Sequence, residues 1–138
     1  MNPPKLNRIL ETALYVADVE RSRAFYERIL GLTCFLALDR MCALSAGPSL
    51  LLLFLRGGTT EWVELPGGRL PPHDGSGTSH FAFAIDAGTL PAWKQRLADH
   101  GVPITSEVRW DLGGTSIYFD DPDGHVVELA TPGVWPVY

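Results

Sequence analysis

Clustered positive charge is missing from this chain. Eleven Lys and Arg residues stand against sixteen Asp and Glu, a net charge of −5 at pH 7. Phosphate backbones are gripped by grouped Lys and Arg, so a nucleic-acid partner is not expected. Cysteine is scarce, with Cys34 and Cys42 the whole supply, so a disulfide framework is excluded and two free thiols in a cytoplasmic protein are expected. Long apolar runs are also lacking. The longest, Leu50–Leu55, is far too short to span a bilayer and reads as a fully buried strand. The opening Met1-Asn2-Pro3-Pro4-Lys5 has no stretch resembling a signal peptide. No membrane association is expected.

What remains is ordinary globular composition, 46% hydrophobic and 20% charged, in 138 residues. That length suits one domain, and it buries roughly two thirds of the unfolded surface. Internal repetition then organises the chain. Ile9–Val16 and Thr78–Ile85 both read as strands, and each precedes a helix. Asp18 is the expected N-cap of the first helix, which carries Phe25, Tyr26, Ile29 and Leu30 on one side and stops at Gly31. Thr89 is the expected N-cap of the second, which carries Leu90, Trp93 and Leu97, accommodates Pro91 in its first turn and stops at Gly101. Three short strands follow each helix: Thr33–Asp39, Met41–Ser45 and Leu50–Leu55 in the first half, Ile104–Trp110, Thr115–Phe119 and His125–Ala130 in the second. Glu11 aligns with His80 and Gly31 with Gly101, the two registers differing by a single residue. Between the halves, residues 57–77 are rich in Gly and Pro and read as a linker without regular structure, able to cover a site or to meet a second subunit. Module one then runs over about 7–56 and module two over about 78–132.

Strand alternation assigns faces. Phe81, Phe83 and Ile85 share one side of their strand, and His80, Ala82 and Ala84 the other, a face with room on it. Thr12, Leu14 and Val16 turn toward the first helix, while Glu11, Ala13 and Tyr15 turn toward a cavity. Glu128 shares a face with Val126 and Ala130, and Ser116 and Tyr118 point inward. Glu11, His80 and Glu128 are thus oxygen and nitrogen donors on inner faces of rigid strands. Three such groups brought together hold a metal ion and leave coordination places for water or substrate. The remaining histidines read as background. His73 is a linker residue with a small prospect of a ligand or substrate contact, His100 ends a helix, and His125 sits solvated beside the turn Asp121-Pro122-Asp123-Gly124.

Three segments carry a family likeness. Residues 17–32, Ala-Asp-Val-Glu-Arg-Ser-Arg-Ala-Phe-Tyr-Glu-Arg-Ile-Leu-Gly-Leu, resemble the first helix of the vicinal oxygen chelate proteins, the glyoxalase, bleomycin-resistance and extradiol dioxygenase superfamily. His80-Phe81-Ala82-Phe83 resembles their second-module ligand strand, and the run from Tyr118 to Leu129 their C-terminal signature. The resemblance implies a single α+β domain over residues 1–138 made of two tandem βαβββ modules that form open, barrel-like sheets. It also implies a homodimer in many single-chain members, with Glu11 of one chain able to meet His80 and Glu128 of the other. Ligands are implied at Glu11, His80 and Glu128, with a fourth on the strand Leu50–Leu55. The internal repeat puts that fourth position at Leu53, which has no donor atom. The activity implied is a metal-dependent lyase, isomerase or dioxygenase acting on a small oxygen-chelating substrate, with a divalent Mn, Fe, Ni, Co, Zn or Mg ion as cofactor and Tyr118 orienting or protonating the substrate. The alternative is metal-free sequestration of a small molecule or drug, as in the bleomycin-resistance branch.

Overall fold

The structure is a computed structural model that describes residues 1–138. It divides into two compact units, Met1–Ser76 and Gly77–Tyr138. No helix is long and apolar enough to cross a membrane.

The first unit opens with β1 (Glu11–Val16) and α1 (Val19–Leu30), followed by β2 (Thr33–Leu38), β3 (Met41–Ala46) and β4 (Ser49–Leu55). The helix begins where expected. Asp18 is extended, and its carboxylate accepts a hydrogen bond from the Arg21 amide at 3.0 Å, satisfying one of the orphan donors of the first turn. It ends at Gly31, whose φ of 71° lets its own amide reach the Glu27 carbonyl and the Leu32 amide reach that of Tyr26. The sheet order is β1-β4-β3-β2, with β1 parallel to β4 and the other pairs antiparallel. Leu14, Val16, Leu51 and Leu53 are buried on one side of the β1–β4 pair, as is Tyr26 on α1. Each such aliphatic side chain contributes about 2 kcal/mol through the apolar surface it removes from water. Phe25, expected on the buried side of α1, is only half-buried, and Ser22 is buried instead. The leucine run is not buried throughout. Leu51 and Leu53 are, but Leu50, Leu52 and Phe54 are half-exposed, because β4 offers its alternate residues to opposite faces.

Residues 57–77 are not structureless. They contain a hairpin of β5 (Val63–Leu65) and β6 (Gly68–Leu70), paired Leu65 to Gly68 around the two-residue loop Pro66-Gly67. Glu64 faces Arg69 across the ladder, their charges 3.7 Å apart, and the Arg69 guanidinium lies 4.4 Å from the Trp62 ring centroid. These cross-strand contacts favour pairing in a segment whose Gly and Pro content suggests only loop.

The second unit repeats the plan: β7 (His80–Ala84), α2 (Leu90–Asp99), β8 (Ser106–Arg109), β9 (Thr115–Asp120) and β10 (Val126–Ala130), in the order β7-β10-β9-β8 with β7 parallel to β10. Two tandem βαβββ modules of the expected α+β class are therefore present. Thr89 stands at the N-cap of α2 as expected, but its side chain makes no capping hydrogen bond. It closes a 3-10 turn, Ala87–Thr89, in helical conformation, and its hydroxyl donates back to the Asp86 carbonyl at 2.7 Å instead of accepting from the helix. Having turned toward Asp86, the side chain cannot serve the first turn of α2. The unit also continues past residue 132, to Tyr138, whose hydroxyl donates to the Ile85 carbonyl at 2.5 Å.

Candidate metal centre

In the second unit, the parallel ladder sets Val126 opposite His80 and Glu128 opposite Ala82. His80 and Glu128 therefore lie on one face, a diagonal step apart, and Ala82 leaves the space between them open. The His80 Nε2 and Glu128 Oε1 atoms are 3.2 Å apart. The other ring nitrogen, Nδ1, lies 3.0 Å from the Val126 carbonyl oxygen. A carbonyl can only accept, so Nδ1 carries a proton, and in the neutral ring Nε2 presents its lone pair to the carboxylate. Two electron-rich atoms at that distance repel unless a positive charge, a proton or a metal ion, lies between them. Glu128 is only 7% exposed, which makes an uncompensated carboxylate costly.

The far oxygen of Glu128 is already engaged. Oε2 accepts from the buried Ser116 hydroxyl at 2.5 Å, and that hydroxyl oxygen accepts from the Trp110 indole N–H at 2.9 Å. Tyr118 stands opposite Glu128 in the β9–β10 register, its ring centroid 6.0 Å from that of His80. Burial, and next the negative charge of Glu128, push its phenol above the ordinary value, so Tyr118 keeps its proton at neutral pH, within hydrogen-bonding reach of Ser116 and Glu128.

In the first unit, Glu11 is the exposed first residue of β1, and the alternation is as expected, with Leu14 and Val16 buried and Ala13 exposed. The register corrects the fourth position. Ala13 pairs with Leu52 just as Ala82 pairs with Glu128, so the counterpart of Glu128 is Leu52, while Leu53 is fully buried on the opposite face. Both are leucines, and neither supplies a donor atom. Within either unit, no three His, Cys, Asp or Glu side chains converge as a metal-binding set.

Two histidines depart from expectation. His125 is not solvated but 1% exposed; its Nδ1 accepts from the Ser79 amide at 2.8 Å, and its own amide donates to Asp121 Oδ1 at 2.9 Å. The aspartate-led turn folds inward on these bonds, which serve structure. His73 is more than a linker residue. Its Nδ1 lies 2.7 Å from the Tyr15 hydroxyl, and its ring packs edge-on to Phe54 with centroids 4.7 Å apart. Burial and, next, Asp74 raise the Tyr15 pKa, so the phenol keeps its proton at neutral pH. Tyr15 and Phe54 are register partners on the face that bears Glu11. Their shared parity was a usable signal, whereas the return of residue 73 to that face depends on Gly75, where a Cβ would fall 2.5 Å from the Tyr15 ring.

The chain matches over residues 8–129 the family model described as the Glyoxalase/Bleomycin resistance protein/Dioxygenase superfamily. It is 30% identical over 124 residues to a protein of Serratia marcescens named glutathione transferase FosA, covering 90% of this chain and 80% of that one. It is 43% identical over 58 residues to one of Bacillus licheniformis named metallothiol transferase FosB, covering 41% of this chain but only 38% of the relative. Among solved structures, one titled lactoylglutathione lyase from Agrobacterium tumefaciens superposes with a TM-score of 0.86 at 31% identity, covering 98% of this chain and 99% of that one.

Proposed function

Because this chain belongs to the glyoxalase, bleomycin-resistance and dioxygenase superfamily, we propose that it is a divalent-metal enzyme acting on a small substrate that chelates the ion through neighbouring oxygens. The relatives carry enzyme names, a transferase and a lyase among them. The observation that carries the reading is the His80–Glu128 pair. With Nδ1 committed to a carbonyl, Nε2 and Oε1 stand 3.2 Å apart, the spacing of two adjacent ligands with bonds of about 2.1 Å to one divalent ion. Glu11, exposed at the head of β1, is the third ligand in this reading, supplied by a second copy of the chain.

Such an ion supplies Lewis acidity to a bound oxygen. One neutral imidazole and two carboxylates bring its net charge near zero, which favours harder ions such as Mn²⁺ or Mg²⁺. The set is one imidazole short of the two-histidine, one-carboxylate arrangement of non-haem iron oxygenases, and that supports lyase, isomerase or transferase chemistry over ring cleavage. Tyr118 holds a phenolic proton beside the pair and serves to orient the substrate or to protonate a developing oxyanion. The His80–Glu128 pair also supports this reading over metal-free sequestration of a drug.

Metal analysis of protein purified without chelator tests the proposal. About one ion per chain is expected, with a rise in melting temperature on adding Mn²⁺, Ni²⁺, Zn²⁺ or Fe²⁺. Sub-stoichiometric metal and an unmoved melting temperature across the whole series would exclude it.

A further inference from the structure

We propose that Ser116 and Trp110 are positioning residues that restrict Glu128 to holding a divalent ion through Oε1 alone. The inference rests on the metal reading above and goes beyond it by naming how one ligand is aimed. A serine hydroxyl has a single proton. The Ser116 oxygen accepts from the Trp110 N–H at 2.9 Å, so its own proton is directed along the 2.5 Å contact to Glu128 Oε2. Ser116 is fully buried, so water cannot replace either bond. With Oε2 occupied, Oε1 is left facing His80 Nε2 at 3.2 Å. The carboxylate then cannot rotate to chelate through both oxygens without breaking the Ser116 bond, and one coordination place more stays open for substrate.

The relay is anchored from outside the site. Trp110 begins a tight loop closed by two backbone bonds, its amide to the Gly114 carbonyl at 2.8 Å and the Gly113 amide back to its own carbonyl at 2.9 Å. Gly114 lies against Gly133 so closely that a Cβ there would come within 2.4 Å of the Gly133 carbonyl carbon, and the Gly114 amide donates to the Gly133 carbonyl at 3.1 Å. The indole is thereby held by the backbone of the chain's last segment rather than by the metal site it serves.

Co²⁺ titration of the full chain, followed by calorimetry and by visible absorption of the bound ion, tests the relay. Ser116→Ala is expected to weaken Co²⁺ binding by about 10- to 100-fold, the usual cost of losing an outer-shell partner. The visible band should also weaken as the freed Oε2 raises the coordination number. Ser116→Thr, which keeps the hydroxyl, should restore both, and Trp110→Phe should move both in the direction of Ser116→Ala by a smaller amount. Should Ser116→Ala fail to fold, Trp110→Phe carries the comparison. Wild-type affinity and an unchanged band in both Ser116→Ala and Trp110→Phe would overturn the relay while leaving the metal site standing. A threonine that fails to rescue would assign the effect to packing and also overturn it. A wild-type chain that binds no Co²⁺ would remove the metal reading and the relay together.

Discussion

At the scale of single residues, hydrogen-bond direction decides what each donor atom is free to do. Nδ1 of His80 is spent on a carbonyl and Oε2 of Glu128 on a hydroxyl, and these two commitments leave one nitrogen and one oxygen facing each other. In the first unit the Tyr15 hydroxyl lies 2.7 Å from His73 Nδ1. A phenol that donates across this contact leaves the His73 ring proton on Nε2. Nitrogen NMR of His73 should show the Nε2–H tautomer, and Tyr15→Phe should shift the population toward Nδ1–H; a tautomer unchanged by that substitution would contradict the assignment. The His80 and Glu128 positions were legible in the sequence, because alternation along a strand reports which face a side chain takes. Their partners were less so. The same alternation turned Ser116 inward without telling that its hydroxyl would meet Glu128, since that depends on how β9 and β10 align. Leu53 shows the same limit, because the internal repeat places the fourth position one residue from Leu52, and one residue is a change of face.

Elements were legible where chemistry marks their ends. Asp18 and Gly31 bracket α1 as the capping rules require, and Asp18→Ala should cost about 1 kcal/mol in denaturant unfolding, with no loss if the cap were idle. Thr89 holds the same N-cap position in α2 but differs in its bond, because a threonine hydroxyl can serve either a helix start or the turn before it. The β5–β6 hairpin was hidden by composition, since Gly and Pro mark loops and hairpin turns alike, and the deciding contacts, Glu64 with Arg69 and Arg69 with Trp62, lie across the ladder and not along the chain. The glycine pair has a consequence at this scale as well. Gly114→Ala forces a methyl into backbone and should cost about 1–3 kcal/mol of stability. Because Trp110 rides on the same loop, that substitution should also weaken metal binding, whereas an alanine at exposed Gly67 should change neither.

For the molecule as a whole, duplication was the most legible feature, because both halves carry the same succession of strand, helix and three strands and the same sheet order. The two copies have diverged in chemistry. Where the second has His80 and Glu128, the first has Glu11 and Leu52, so the proposed metal-ligand pair has its counterpart positions complete with donor atoms on one sheet only. Titration also acts at this scale. Burial pushes the Cys42 thiol up to about 12, and the Tyr15 and Tyr118 phenols are raised too. Each is an acid held neutral in the folded chain and ionised at lower pH once unfolded. Their contribution is therefore intact below the ordinary thiol value and is lost as pH climbs toward the folded one. Stability is expected to fall between about pH 9 and pH 12, with a shallower fall in Cys42→Ala; a flat profile over that range would refute the assignment.

Whether His80 and Glu128 hold one divalent ion is decided by anomalous diffraction at the manganese edge from crystals grown with Mn²⁺. A single strong peak per chain is expected within about 2.3 Å of both His80 Nε2 and Glu128 Oε1, absent in Glu128→Ala. A peak elsewhere, or none in the wild-type protein at saturating Mn²⁺, would contradict it.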